Sequence, residues 1–438
     1  MTGWVDHAVW WHVYPLGFTG APGSAPAPGE PPVPRLGALE PWLDYAVELG
    51  CSGLALGPVF ASSTHGYDTV DHYRVDPRLG TGADFDRLVA AARSRGLRVL
   101  LDGVFNHVGR AFPRFAEAVE RGPGSEAARW FRHVPGGGPA DYEVFEGHHA
   151  LPLLDHAEPG VGDHVADVMG HWLDRGASGW RLDAAYAVPP RFWRSVLPRV
   201  RARHPDAWFV GEVIHGDYAG YAADSTLDSL TQYELWKALR GSVEDANLFE
   251  LAWALKRHNA FTEAFTPLTF AGNHDVTRLA SALTDTRHIG HVLAVLFSVA
   301  GVPAVYYGDE QAYRGVKEER EGGDDDVRPA FPAGPGELAP WGAEVFRTHR
   351  DLIGMRRRNP WLVRARTEVL HLDNRAMALR CAADGPAGPV MVLLNLDDAP
   401  VRFPLDGPLP PVAVRGGGPA AADPREVPGH GWTVLSPD

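Results

Sequence analysis

Four carboxylates, one arginine and two histidines recur at one kind of position along the chain, just after a short apolar run. Asp102 follows Val99-Leu100-Leu101 and leads to Asn106 and His107. Arg181 and Asp183 end the stretch Gly179-Trp180-Arg181-Leu182-Asp183, and Glu212 follows Trp208-Phe209-Val210-Gly211. Asn273, His274 and Asp275 follow Leu268-Thr269-Phe270-Ala271. Residues two apart on a strand point the same way, so Arg181 and Asp183 share a face. Charges directed into an interior need partners, and carboxylates gathered at strand ends are a site signal. Several carboxylates in one pocket repel, so either a metal neutralises them or their pKa values split. Cleavage of a glycosidic bond requires that split: one carboxylate ionised to attack the anomeric carbon, the other protonated for the leaving oxygen. On this reading Asp183 is the nucleophile, kept ionised by Arg181. Glu212, followed by Val213 and Ile214 with no adjacent cation, suits the acid.

The stretches that must position these groups alternate between strand-like and helix-like. Strands are expected over 9–14, 53–56, 97–101, 179–183, 208–211, 227–233, 268–271 and 304–306. Helices are expected over 36–49, stopped by Gly50, over 84–95, stopped by Gly96, and over 161–175 and 190–203. The near-continuous apolar run of the third strand suits a strand covered on both faces. Eight strands alternating with helices predict an α/β fold, a (β/α)8 TIM barrel with catalytic groups at the C-terminal strand ends. An open doubly wound sheet would show a Gly-rich phosphate turn after the first strand, and none is evident. The rhythm breaks over 107–160, where Gly, Pro, His and aromatic residues replace any clear helix–strand unit, as in a functional insertion. The stretch 17–34, rich in Pro and Gly, reads as a surface connector. After Trp361, short β-type runs over 367–372, 376–380 and 390–396 read as an all-β sandwich domain. The expected organisation is a barrel over 1–106 and 161–360, a small inserted B domain over 107–160 and a C-terminal β domain over 361–438.

Composition narrows the partners. The 438 residues carry a net charge of −14, which argues against nucleic acid and anionic membrane surfaces. Hydrophobic content of 45% and charged content of 22% are those of a folded protein. Cys51 and Cys381 are the only cysteines, so no disulfide framework or cysteine metal cage is expected. The longest apolar run, 289–307, is broken by His291, Gly301 and Pro303 and reads as a buried helix and strand. No basic stretch followed by an apolar core opens the chain, so no signal peptide is expected and a cytoplasmic location is favoured. His148, His149, Asp155 and His156 fit no standard zinc spacing. Asp324-Asp325-Asp326 reads as a solvated loop or an edge of the substrate site.

At these residues the chain resembles the α-amylase family of glycoside hydrolases. Four family motifs occur in order: Asp102-Gly-Val-Phe-Asn106-His107, Gly179-Trp-Arg181-Leu-Asp183, Gly211-Glu212-Val and Phe270-Ala-Gly-Asn273-His274-Asp275. Gly66-Tyr67-Asp68 and Gly301-Val-Pro-Ala-Val-Tyr-Tyr-Gly308-Asp-Glu310 support them. Leu151-Pro152-Leu153-Leu154-Asp155 resembles a fifth motif, nearest to that of cyclomaltodextrinases, neopullulanases and maltogenic amylases, which commonly has Lys then Asn there. Two further departures lie on the acceptor side, Tyr186 where many α-amylases place Lys and Ile214 where cyclomaltodextrinase-like members often have Trp.

The resemblance implies that Asp183 is the nucleophile, Glu212 the general acid/base and Asp275 the carboxylate that grips hydroxyls of the cleaved sugar. It implies that Arg181 orients the acids, that His107 and His274 hydrogen-bond the sugar and that Tyr67 stacks under it. Asp68, Asp155 and Tyr186 join the substrate-binding set, as does Asp102, whose other reading is an anchor for Arg181. No cofactor is required. Asn106 stands where many members supply a calcium ligand, so a structural calcium is an expectation of the resemblance. The implied reaction is retaining hydrolysis of α-glucosidic bonds, α-1,4, in malto-oligosaccharides or cyclic glucans, with the two carboxyls about 5–5.5 Å apart. A homodimer is compatible with the family. Members of the nearest group usually carry an N-terminal β domain; its absence, with no leader or starch-binding module, favours an intracellular oligosaccharide enzyme. A transglycosylase or isomerase would use the same acids with a sugar hydroxyl as acceptor. A sugar-binding or scaffold relative typically lacks one of the three acids, and all three are present.

Overall fold

The computed structural model describes residues 3–437 apart from 28, 135–137, 139, 140, 321 and 420. Eight parallel strands close into a cylinder: Trp10–Val13 (β1), Gly53–Leu56 (β2), Arg98–Gly103 (β3), Gly179–Leu182 (β4), Trp208–Gly211 (β5), Ser229–Leu230 (β6), Leu268–Phe270 (β7) and Val302–Tyr306 (β8). They pair in the order β6-β5-β4-β3-β2-β1-β8-β7, and a parallel bridge from Thr231 to Leu268 joins the two ends.

The two-residue period of each strand sorts its side chains. Val99 and Leu101, Trp180 and Leu182, and Phe209 face outward into the core shared with the helices. Inside, Trp10, Leu100, Trp208, Val210, Phe270 and Val302 form an apolar floor, with Trp10 and Trp208 stacked at 5.8 Å. Nearer the C-terminal strand ends the inward positions become polar, with Asp102 and Arg181 paired across β3 and β4. The strands approach closely where the sequence permits it. A Cβ on Gly179 would sit 2.1 Å from the carbonyl oxygen of Trp208.

Several elements depart from expectation. The stretch 36–49 is not one helix: Arg35–Trp42 is a 3-10 turn and only Leu43–Leu49 is α-helical, ending at Gly50 with φ 99°. Pro41, which lacks an N–H to donate, sits at the change. The insertion 107–160 does contain a helix, Pro113–Arg121, which buries Phe115 and Ala118. The sixth strand shrinks to Ser229–Leu230. A hairpin between β2 and β3, Phe60–Ser62 with Thr69–Val75, carries Tyr67 and Asp68 in its turn.

The C-terminal region forms an antiparallel sheet of Arg366–Leu372 (β9), Ala376–Ala382 (β10), Val390–Asn395 (β11), Val412–Gly416 (β12) and Trp432–Leu435 (β13), in the order β9-β10-β11-β13-β12. One face lies on the helices Ile289–Leu296 and Ala343–Arg358. The other is covered by the ribbon Val401–Arg402 with Glu426–Val427, where Phe403 and Val427 pack on Ala378, Leu393 and Leu435. The sandwich is therefore uneven, five strands against two. Among the described residues no helix is long and apolar enough to cross a membrane.

Five buried histidines each give one ring N–H to a backbone carbonyl: His72 to Val104, His107 to Tyr67, His258 to Ala300, His291 to Asn395 and His349 to Val345. Burial pushes their pKa down to about 4 for His72, His258 and His349 and to about 3 for His107 and His291. Unfolded, each protonates near its ordinary value of about 6.5. Their contribution is therefore complete above that pH and is lost as pH falls toward the folded values. Stability should fall steeply between pH 6.5 and 4. His349→Gln should flatten that fall by up to about 3 kcal/mol, seen in urea melts at both ends of the window. An unaltered slope in the variant would exclude His349 as a contributor.

Candidate active site

One guanidinium organises the top of the barrel. Arg181 on β4 lies beside Asp102 on β3, and its Nη1 donates to both Asp102 oxygens at 2.8 and 2.7 Å. The same Nη1 reaches Asp183 Oδ1 at 3.0 Å, and Nη2 reaches Glu212 Oε1 at 2.7 Å. Asp183 and Glu212 sit one step past β4 and β5, where the backbone ladder continues from Asp183 N–H to Gly103 and from Glu212 N–H to Leu182. Glu212 Oε2 accepts the N–H of Ala184 at 2.9 Å. Ala184 holds φ 45°, a left-handed conformation that costs a non-glycine residue energy and turns its amide toward the acid.

The third acid is held separately. Asp275 Oδ1 accepts from Arg328 Nη2 at 2.9 Å, and Oδ2 lies 3.0 Å from His274 Nε2. Asn273 links the groups: its Oδ1 accepts the Asp275 N–H at 2.9 Å, its amide donates to the Tyr233 hydroxyl at 2.8 Å, and that hydroxyl donates to Glu212 Oε1 at 3.2 Å.

These environments split the carboxyls. Burial pushes Asp183 well above the usual carboxylate range, opposed by Arg181 and reinforced by the charges of Glu212 and Asp102. Burial also raises Asp102 against the pull of Arg181. Asp275, which burial alone would raise, is held well below the usual range by His274 and Arg328. One cation among three carboxylates leaves the cluster holding a proton. The expectation that Arg181 keeps Asp183 ionised while Glu212 has no adjacent cation is thus overturned on both counts: burial raises Asp183 despite the guanidinium, and the guanidinium spans both acids with its shorter contact to Glu212.

Asp183, Glu212, Asp275, Tyr67, His107 and Tyr186 line one cleft of about 420 Å³. Tyr67 places its hydroxyl 3.2 Å from Asp102 Oδ2 and against His274 Nε2. His107 stacks on Phe145 at 4.8 Å, and both its ring nitrogens have protein partners, the Tyr67 carbonyl and the Asn106 amide. Tyr186 donates to Glu146 Oε1 at 2.7 Å. Asp102 and His274 lie below, in the cavity above the apolar floor. Two expected substrate ligands are not brought to the cleft. The Asp68 carboxylate folds back on its own turn, accepting the Thr64 N–H and hydroxyl, and Asp155 Oδ1 accepts the Ala157 N–H at the entry to the next helix.

A calcium ion takes six to eight oxygens, among them side-chain amide and backbone carbonyl oxygens. The Asn106 amide nitrogen lies 3.2 Å from His107 Nδ1, which leaves Oδ1 as the atom that would face an ion, and among the described residues no cluster of three His, Cys, Asp or Glu side chains includes a neighbour of Asn106. Residues missed from the sequence include Tyr233, Arg328 and Glu146. Tyr233 ends the sixth strand-like run, a position that could have flagged it. Arg328 lies far along the chain from any motif, although its partner Asp324, 2.9 Å away, belongs to the acidic run.

Arg181→Met would leave three carboxylates, each under a tenth exposed, without their cation. Removing one partner of a buried pair costs about 3–5 kcal/mol. Urea unfolding at pH 7 should show that loss, with part of it recovered at pH 5 as the carboxyls take up protons. A loss that does not shrink on acidification would contradict the charge balance described above.

The family model "Alpha amylase, catalytic domain" matches residues 36–332. A cyclomaltodextrinase from Geobacillus thermopakistaniensis (strain MAS1) is 29% identical over 437 residues, covering 94% of this chain and 72% of that relative. An intracellular maltogenic amylase from Bacillus subtilis (strain 168) is 30% identical over 337 residues, covering 72% of this chain and 57% of the relative. The solved ligand-free structure of a cyclic alpha-maltosyl-(1→6)-maltose hydrolase from Arthrobacter globiformis aligns with a TM-score of 0.82 at 27% identity over 99% of both chains. Matched from the first barrel helix to the loop that carries Arg328, this chain belongs to the α-amylase family of glycoside hydrolases.

Proposed function

We propose that the protein is a retaining hydrolase of α-glucosidic bonds, α-1,4 in malto-oligosaccharides or cyclic glucans. The observation that carries this reading is the pair Asp183 and Glu212, held on two arms of Arg181 in one cleft while Asp275 is kept ionised apart from them. Glu212 gives its proton to the glycosidic oxygen as Asp183 attacks the anomeric carbon, forming a β-glucosyl ester and releasing the leaving sugar. Glu212 then takes a proton from water, whose oxygen displaces Asp183 and restores the α configuration. A proton must sit on Glu212 when Asp183 attacks. Arg181 contacts both carboxyls, so its charge stays compensated wherever the proton resides. Asp275, ionised by His274 and Arg328, is placed to accept hydroxyls of the reacting sugar, with the Tyr67 ring beside it.

The names of the relatives favour cyclic and short glucans, and that of the Bacillus subtilis relative supports a cytoplasmic location. Transfer to a sugar acceptor is the second reading. It is favoured by Tyr186, whose phenol is braced by Glu146 at the cleft edge, where an incoming sugar ring would rest in place of free water.

Asp183→Asn and Glu212→Gln should each lower turnover of cyclomaltodextrin and maltotriose by several orders of magnitude with melting curves near those of the parent protein. Proton NMR of the first products should show the α anomer ahead of mutarotation. Near-normal turnover in either variant, or first products of β configuration, would refute the mechanism. Products longer than maltotriose would assign the cleft to transfer.

A further inference from the structure

Well away from the cleft, the barrel and the C-terminal sheet meet at a cluster of imidazoles and carboxylates that the reaction does not use. Asp285 caps and His288 ends the 3-10 turn Thr286–His288, which runs into the helix Ile289–Leu296. His430 comes from the loop before β13. His288 Nε2 lies 2.9 Å from His430 Nδ1, and Asp285 Oδ2 lies 4.0 Å from each of these nitrogens. All three atoms fall within 4.8 Å of one another.

The second nitrogen of His430 settles its tautomer. Nε2 donates to Asp398 Oδ1 at 2.7 Å, so Nδ1 presents a lone pair toward His288. Carboxylate–histidine pairs of this kind orient imidazole ligands in metal sites. The two rings meet edge to edge, 2.9 Å between the nitrogens and 5.2 Å between the ring centroids, so an ion is taken up as both rings turn toward Asp285. A point on the Asp285 side about 2.1 Å from both nitrogens falls about 2.2 Å from Oδ2, within the zinc–ligand range. Arg287 orients Asp285, its Nε 3.0 Å from both carboxylate oxygens and its Nη2 donating at 2.6 Å to Oδ2, the oxygen nearest the imidazoles, so an ion would share Oδ2 with the guanidinium. Three carboxylates, Asp285, Asp398 and Glu244, act on this cluster together with two guanidiniums, those of Arg287 and Arg375, so the charge balance admits a cation. The side chains of Asp285, His288 and His430 are 30%, 12% and 14% exposed, so an ion can reach them from solvent.

We propose that Asp285, His288 and His430 form a binding site for a divalent transition-metal ion, zinc by donor type, that ties the C-terminal β domain to the barrel. Two imidazoles and one carboxylate favour zinc over calcium or magnesium, and water completes the fourth position. The ion takes the place of the hydrogen between the two rings, and the proton on His288 Nε2 moves to its Nδ1.

The test is titration of the metal-free full-length protein with zinc chloride by calorimetry, with cobalt chloride as a spectroscopic probe. The wild type should bind one equivalent of zinc, melt at a higher temperature when loaded, and give the visible absorption of a four-coordinate cobalt ion. His430→Gln should lose all three responses while keeping its near-UV circular dichroism and its turnover of glucans. Asp398→Asn, at a side chain 89% exposed, should weaken binding about 10–100-fold without disturbing the fold. No stoichiometric uptake by the wild type, or unaltered uptake and cobalt spectrum in a His288→Gln/His430→Gln double variant, would overturn the proposal, as would unchanged affinity in Asp398→Asn.

Discussion

Among the described residues, Asp102, Asp183 and Glu212 draw on one cation, the guanidinium of Arg181. Each buried ion costs several kcal/mol of solvation, and one positive charge cannot compensate three negative ones. The cluster must therefore hold a proton, the condition for a site that has to protonate one oxygen and attack through another. A second guanidinium in the same place would ionise all the carboxyls and leave no acid. The arrangement depends on strand period. Alternate residues of β3, β4 and β5 face the interior, so a floor of Trp10, Leu100, Trp208 and Val210 sits directly beneath the charges. That floor excludes water from below and keeps the guanidinium's hydrogen bonds for the three acids.

The second cation of the cleft is positioned by a relay from the far side of β8. Arg278 is fully buried and donates to Tyr307 O and Asp309 Oδ1, both at 2.9 Å, and to Val327 O at 2.9 Å. Tyr306 gives its hydroxyl to the same Val327 carbonyl at 2.8 Å. The next residue is Arg328, whose guanidinium lies 4.6 Å from the Tyr14 ring and reaches Asp275. Burial pushes Asp309 up to about 6 against the pull of Arg278, and Glu310, bonded to Tyr45 and the Gly308 N–H, up to about 7. The stretch Gly308-Asp309-Glu310 therefore fixes a loop, and neither acid lines the cleft. Its product is the low pKa of Asp275, which sets that acid apart from Asp183 in the same cleft.

What could be read from the sequence follows the range of the forces involved. The barrel strands were legible because most are short apolar runs, four of which end in the polar residues of the site, a pattern imposed within five or six residues. Gly179 to Asp183 and Trp208 to Glu212 show it most clearly. The sixth strand was poorly legible because only Ser229–Leu230 pairs, and closure falls to the single bridge of Thr231 with Leu268. The helix Pro113–Arg121 was hidden because only Phe115 and Ala118 of its nine residues are buried, too few to set a period. Motif position brought Asp183, Glu212 and Asp275 together on paper, yet it could not tell which carboxyl Arg181 would grip, since that depends on a few ångströms of side-chain reach. Asp68 and Asp155 show the opposite failure. Both are short acids in tight turns, where the nearest donor is a neighbouring backbone or hydroxyl group, and local hydrogen bonds took them before any ligand could.

The C-terminal sheet is tied to the barrel beside β8. Arg356, on the helix between barrel and sheet, donates to the carbonyls of Phe297 and Val299 at 3.1 and 2.7 Å and to that of Gly301, so it holds the segment that enters β8. Arg278 holds the segment that leaves it. A five-residue strand clamped at both ends has little freedom to tilt, and any tilt at one end appears at the other. On the sheet side, Trp432 presses on Gly290, where a Cβ would lie 2.1 Å from the indole nitrogen, so the helix Ile289–Leu296 and β13 are set against each other without slack. Asn259 adds a two-way clasp with the Thr367 backbone at the start of β9, donating at 2.7 Å and accepting at 2.9 Å. The contacts of Arg356 before β8 and of Arg278 after it thus form a continuous path of hydrogen bonds from that sheet to the loop that carries Arg328 and its partner Asp275.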